Sequence, residues 1–206
     1  SMINQKKINN LRKKLRSKKN CSIGAWIQSG SVVNTEILSN NGFDWITIDM
    51  EHSQIDNSKH EDLVRVIQLS GSLPLTRISK PDPNLIKHAL DSGSHGVILP
   101  MLKNYSQTEK LIKSSIMPPY GDRGVGFFRA NLYGKNFSSY KKFAKNPIII
   151  PMIENIDIIK DLDKLTKNKN IDALFIGPYD LSASLGIPGD FKNLKFINII
   201  NKIISY

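Results

Sequence analysis

The chain has 206 residues, 40% hydrophobic and 23% charged, with 29 Lys+Arg against 18 Asp+Glu and a net charge of +11. That composition excludes a disordered or fibrous chain, and the length suits one domain with a substantial core. A single cysteine, Cys21, excludes an intrachain disulfide or cysteine-based zinc cluster, and no apolar run nears the ~18–20 residues of a membrane helix.

The charge is concentrated at the start. Lys6, Lys7, Arg12, Lys13, Lys14, Arg16, Lys18 and Lys19 all fall in residues 1–20, which contain no acid. Ile8, Leu11 and Leu15 form an i, i+3, i+7 stripe through the same stretch, predicting an amphipathic helix packed on the body with its basic face in water. A basic arm for nucleic acid or acidic lipid is the competing reading, but the interleaved aromatics of single-strand binders are missing. The expectation is therefore a basic helix over 1–20 ahead of a domain over 21–206, with neither nucleic acid nor membrane as partner. No apolar leader segment precedes it, so the expected setting is the reducing cytoplasm.

After residue 20, β-rich runs alternate with helical patterns. The predicted strands are Ser22–Gln28, Trp45–Asp49, Leu73–Ile78, Gly96–Met101, Ile148–Ile153 and Ala173–Gly177. Helices are expected near 34–41, 57–70, 83–92, 105–115, 155–167 and 192–205. Gly42, Gly71 and Gly93 close three of them, and Asp56 or Ser58 and Asn104 or Ser106 can open two others. Alternation of this kind predicts βαβ units and a parallel sheet covered on both faces. Strands start 23–28 residues apart, except for a gap of 52 before the fifth, which holds a loop rich in Gly, aromatics and Arg over 117–146. Loops this long are usually functional. Neither a dinucleotide-binding nor a P-loop glycine pattern is present, leaving a (β/α)8 barrel as the expected fold, with six of its βα units visible.

Chemistry in such a barrel sits at the C-terminal ends of the strands. The second strand ends in Asp49-Met50-Glu51-His52, the third in Arg77, the fifth runs into Glu154, and the sixth into Gly177-Pro178-Tyr179-Asp180. Singly, each has a plainer reading: Glu154 or Asp180 as a helix cap, Arg77 as an ion-pair partner, Asp49 as a turn brace, His52 as a loop histidine. Together, two carboxylates from neighbouring strands can hold a divalent cation with positions left open. Asp49 is near enough in sequence to orient the His52 imidazole as a general base, and Arg77 suits an enolate or carboxylate oxygen. Proton abstraction next to a carbonyl is the chemistry these parts suit. No lysine falls at these strand ends, which disfavours a Schiff-base aldolase.

Residues 42–52 (GFDWITIDMEH), Pro74–Arg77, 118–126 (PPYGDRGVG), Met152–Glu154 and 175–186 (FIGPYDLSASLG) resemble, in this order, the HpcH/HpaI aldolases, metal-dependent class II pyruvate aldolases of the phosphoenolpyruvate/pyruvate barrel superfamily. The resemblance runs from about Asn9 onward. It implies cleavage or formation of 4-hydroxy-2-oxo acids or 2-keto-3-deoxy sugar acids, with pyruvate as enolate donor and a small aldehyde as acceptor. It implies Glu154 and Asp180 as ligands of Mg²⁺, Mn²⁺ or Co²⁺, and His52 paired with Asp49 as a base acting through a metal-bound water. It implies Arg77 at the keto oxygen and Glu51 helping to hold waters. The amides of Tyr179 and Asp180, in the turn begun by Gly177 and Pro178, would seat the pyruvate carboxylate. Trp26 would wall the pocket, and Arg123 would order the long loop near substrate. Met152 stands where many relatives have Gln, and Phe127-Phe128 where many carry small residues, suggesting a bulkier pocket mouth. The resemblance also implies a homo-oligomer, and two further strands that this chain does not reach. A relative without turnover, or a lyase acting on acyl-CoA or citrate-type substrates, are the alternatives.

Overall fold

The computed structural model describes residues 4–17 and 19–206. Six strands form one sheet in sequence order, every neighbouring pair parallel. They are β1 (Gly24–Ile27), β2 (Trp45–Asp49), β3 (Pro74–Arg77), β4 (Gly96–Leu99), β5 (Ile148–Ile153) and β6 (Phe175–Ile176). Nine helices accompany them among the described residues: α1 (Gln5–Leu15), α2 (Val32–Ser39), α3 (Asn57–Leu69), α4 (Pro83–Asp91), α5 (Tyr105–Ser115), α6 (Phe137–Ala144), α7 (Leu162–Lys167), α8 (Pro178–Ser184) and α9 (Leu194–Ile204).

Side chains alternate between the faces of a strand. The outer-face residues Ile46 and Ile48 cluster with Leu63, Val64 and Ile67 of α3, while Val97, Leu99 and Ile149 join Ile86, Leu90 and Leu111 in the larger cluster. The opposite parity turns Trp26, Thr47, Asp49, Leu75, Arg77, Met152 and Phe175 inward. Trp26 of the first strand meets Phe175 of the last with ring centroids 5.3 Å apart, so the two edges curl toward each other as in a barrel. The (β/α) barrel architecture expected from the sequence is thus present over these six units.

Local signals account for most boundaries. Asp56 and Asn104, each one of two candidates, cap α3 and α5 by accepting from the N–H of Lys59 and Gln107. Gly71 and Gly93 take φ of +84° and +111°, the left-handed region that stops a helix. Three segments differ from expectation, the first being 117–146, expected as loop, which contains α6 and a 3-10 turn, Arg129–Asn131. The helix expected over 155–167 begins as a 3-10 turn, Ile156–Asp161, and β6 is only two residues long. No described helix is long and apolar enough to cross a membrane.

Helix α1 packs by the stripe that its sequence shows, with Ile8 and Leu11 buried in the larger cluster. Its cations are largely committed to the body. Arg12 is buried, pairing with Asp172 at 2.8 Å and donating to the carbonyls of Asn146 (2.7 Å) and Pro147 (2.9 Å). Lys14 pairs with Asp44, and Lys7 donates to the Gly71 carbonyl.

Two buried histidines make stability depend on pH. His60 Nε2 lies 2.8 Å from Thr76 Oγ1, itself 2.6 Å from Ser94 Oγ, and burial lowers its pKa to about 4. His95, almost wholly buried, is lowered by the same cause to about 3. Between pH 6.5 and these values the unfolded chain binds protons that the native state does not. Their contribution to stability is therefore complete above pH 6.5 and falls on acidification, by about 1.4 kcal/mol per pH unit for each histidine. NMR titration should find both imidazoles neutral down to about pH 5, with denaturant midpoints falling over the same range.

Candidate active site

The site begins with strand register. Asp49 and Arg77 are paired positions on β2 and β3, so their inward side chains stand side by side. Arg77 Nε and Nη2 donate to the Asp49 carboxylate at 2.9 and 2.5 Å. Asp49 is fully buried and also accepts from Gln28 Nε2 (2.9 Å) and the backbone N–H of Glu51 (3.0 Å) and His52 (3.2 Å). Burial opposes its ionisation, but the bonds from Arg77 and Gln28 outweigh that and hold the carboxyl below its ordinary value. Arg77 also lies 3.3 Å from Glu51 Oε2, with its guanidinium 4.8 Å from the centre of the Trp26 ring. Trp26, Arg77, Asp49 and Glu51 thus form one braced wall.

His52 is not oriented by Asp49 through its ring. Asp49 holds the His52 backbone, while the imidazole projects outward, largely exposed, with Nε2 4.0 Å from Glu51 Oε2. The turn after β2 is why: an aspartate at its start is taken up by amides two and three residues on. Glu51, rather than Asp49, is the carboxylate nearest the imidazole. Burial raises the Glu51 pKa, with the charge of Glu154 adding and that of Arg77 opposing.

Glu154 follows β5 with the parity of Met152 and points inward. Its capping alternative fails, because Asn155 caps the turn that follows by accepting from Asp157 N–H at 2.8 Å. Glu154 Oε1 instead accepts the backbone N–H of Met101. Met101 has φ of +54°, a conformation that side-chain-bearing residues rarely adopt and one found at functional sites. Strand β4, whose end Leu99-Pro100-Met101 carries no charged side chain, delivers an amide. Burial raises the Glu154 pKa, the Met101 bond opposes, and the negative charge of Asp180 adds to the rise.

Asp180 stands exposed in the first turn of α8, where the helix dipole favours an acid. Gly177, the cap before it, makes room for Glu154. A Cβ there would lie 3.0 Å from Glu154 Cβ, 3.1 Å from its Oε2 and 3.4 Å from Met152 Cε. Met152 itself is buried beneath this contact. Tyr179 is largely exposed and turns its ring toward Phe191, 5.0 Å between centroids.

Glu51, His52, Glu154 and Asp180 line one cavity of about 390 Å³ with Met101, Lys103, Asn155 and Ser184. Among the described residues no three His, Cys, Asp or Glu side chains converge on a metal position. The donor set is thus carboxylate oxygen, sparse, with mutually repelling acids that a cation would relieve. It fits a hard divalent ion whose other positions are filled by water or substrate. Gly177→Ala should displace the Glu154 carboxylate by a few tenths of an ångström. We expect calorimetry to show Mn²⁺ affinity about tenfold weaker with little change in melting temperature.

The structure separates Arg123 from this cavity. Its loop joins the C-terminus of α5 to the N-terminus of β5 and so lies at the opposite end of the barrel. There Arg123 is buried, donating to Tyr140 Oη at 3.0 Å. Phe127 and Phe128, in the same loop, do not border the pocket mouth of this chain. Lys103, by contrast, was not anticipated. It belongs to the β4–α5 loop, beyond the strand ends proper, and its ammonium makes no bond or ion pair among the described residues. Reading whole βα loops, rather than the terminal residue of each strand, would have found it.

The sequence model of the HpcH/HpaI aldolase/citrate lyase family matches residues 22–206. The chain is 31% identical over 188 residues to a 5-keto-4-deoxy-D-glucarate aldolase of Escherichia coli O139:H28, spanning 91% of this chain and 73% of that one. It superposes with a TM-score of 0.88 on a solved HpcH/HpaI aldolase/citrate lyase family protein of Burkholderia cenocepacia J2315, at 28% identity, over 96% of this chain and 79% of that one. The citrate synthase SbnG shares the fold, with a TM-score of 0.79 at 22% identity over all of this chain and 77% of that one.

Proposed function

The chain belongs to the HpcH/HpaI aldolase/citrate lyase family, and from that footing we propose that it is a divalent-metal-dependent carbon–carbon lyase acting on 4-hydroxy-2-oxo acids, with pyruvate as its donor product. The observation that carries this reading is the meeting of Glu154 and Asp180 in one cavity, beside the Arg77–Asp49–Glu51 wall.

Glu154 and Asp180 would hold the cation, which when bound would polarise the keto oxygen of the donor. In the cleavage direction, His52 takes the proton of the 4-hydroxyl as the C3–C4 bond breaks. The bond pair passes into the pyruvate enolate, the acceptor leaves as an aldehyde, and a proton returned to C3 completes pyruvate. Arg77 cannot swing, being fixed by Asp49, Glu51 and the Trp26 face, so its guanidinium is preorganised for the negative charge that develops on the keto oxygen. The first amides of α8, at Tyr179 and Asp180, would receive the donor carboxylate. Mg²⁺, Mn²⁺ and Co²⁺ all suit such an oxygen site. A homo-oligomer is part of the proposal, supported by the exposed aromatics Phe127 and Tyr133 on the barrel's far end.

The test is release of pyruvate from a panel of 4-hydroxy-2-oxo acids, coupled to lactate dehydrogenase. EDTA should suppress release by about a hundredfold or more, and Mg²⁺, Mn²⁺ or Co²⁺ should restore it. Full activity in EDTA would sink the metal assignment. Absence of pyruvate from every substrate with every metal would sink the lyase assignment.

A further inference from the structure

A second cavity, about 550 Å³, lies at the N-terminal ends of β3 and β4, on the face opposite the candidate active site. Its walls include Lys7 of α1, Arg65 of α3, Ser72 and His95 just before the two strands, and Arg129 of the long loop. Among the described residues no acidic side chain lines it.

Arg129 is the informative residue. It is only 5% exposed, yet no carboxylate partners it among the described residues. Its one side-chain hydrogen bond among the described residues runs from Nη1 to the Ser92 carbonyl, at 2.7 Å. The fold makes space for it deliberately: a Cβ at Gly93 would lie 2.5 Å from Nη1. Burial, and then the charge of Arg65, lower the Arg129 pKa to about 10, which the charges of Glu61 and Tyr133 only partly offset. Lys7 reaches the same cavity and donates to the Gly71 carbonyl, again without a carboxylate partner among the described residues. Arg65 is different, since Glu61 and Asp62 already pair with it. His95 is neutral: its Nε2 accepts from Asn4 N–H at 3.3 Å, and its Nδ1 is buried without a partner among the described residues.

Buried charges in folded proteins are ordinarily paired or hydrogen-bonded on all sides, because an unpaired one is expensive to keep. Here a buried guanidinium and an exposed ammonium, neither in an ion pair among the described residues, face one open cavity. We propose that this cavity binds a small oxyanion of the phosphate or dicarboxylate class, held by Arg129 and Lys7, which ties α1, the N-terminal ends of β3 and β4, and the long loop together. A forked guanidinium and an ammonium are the donors such anions select.

The experiment titrates the whole chain with inorganic phosphate, with malonate and with chloride at constant ionic strength, reading melting temperature and calorimetric binding. Saturable stabilisation by phosphate or malonate, and none by chloride, is expected; whichever of the two binds tighter identifies the class. Lys7→Gln and Arg129→Lys should each weaken that binding about tenfold. Lys7 is exposed, so its variant reports even where Arg129→Lys folds poorly. Absence of saturable binding would overturn the proposal. So would binding of unchanged strength in Lys7→Gln, which would place the anion elsewhere, including the strand-end cavity.

Discussion

Glu154→Gln is expected to lower turnover about a thousandfold, equivalent to roughly 4 kcal/mol of transition-state stabilisation, while leaving the fold intact. Glutamine has nearly the shape of glutamate, and its carbonyl oxygen can still accept the Met101 N–H that Glu154 Oε1 accepts now. What it removes is the buried negative charge that faces Asp180. Thermal unfolding in EDTA should therefore be nearly unchanged, or slightly improved, because a buried acid repelled by its neighbour is costly. Stabilisation by added Mn²⁺, clear in the parent, should be lost. A variant that binds Mn²⁺ as tightly as the parent would show that Glu154 is no ligand.

Asp49→Ala should fail differently. Asp49 is fully buried and accepts five hydrogen bonds, two of them from Arg77. Alanine leaves the Arg77 guanidinium largely buried beside Trp26 with only Glu51 to offset it, and frees the amides of Glu51 and His52. Breaking a buried pair from one side costs about 3–5 kcal/mol. The expected result is a large loss in denaturant midpoint together with loss of activity. Asp49→Asn, which keeps one acceptor, should recover part of the stability. If Asp49 acted only by orienting the His52 ring, alanine would reduce activity and leave stability untouched; the geometry argues against that.

The fold was legible because its determinants are local. Alternating apolar runs, capping by Asp56 and Asn104 and stopping glycines at 71 and 93 are written within a few residues of where they act. The inward parity of Asp49, Arg77, Met152 and Glu154 follows from the period of a strand once its limits are known. What escaped reading depends on partners distant in sequence. The Met101 amide on Glu154 joins positions 53 residues apart and requires a left-handed residue that nothing in its side chain announces. The direction of the His52 ring depends on how Asp49 divides its lone pairs between Arg77 and the turn amides. The length of the long loop is plain in the sequence, but its face follows from connectivity: a loop that runs from helix to strand lies at the end opposite one that runs from strand to helix. Hence Arg123 and Arg129 sit far from Glu154, and Lys103 beside it.

The central claim is that these residues enolise pyruvate, and the most direct measurement follows the methyl protons of pyruvate by NMR in D₂O. Enolisation needs only the donor half of the site, so the identity of the aldehyde does not enter. The methyl protons should exchange for deuterium with Mg²⁺ or Mn²⁺, with exchange suppressed by EDTA and absent in Glu154→Gln and His52→Ala. Methyl signals that stay protonated with every divalent metal, in protein shown to be folded, would contradict that claim.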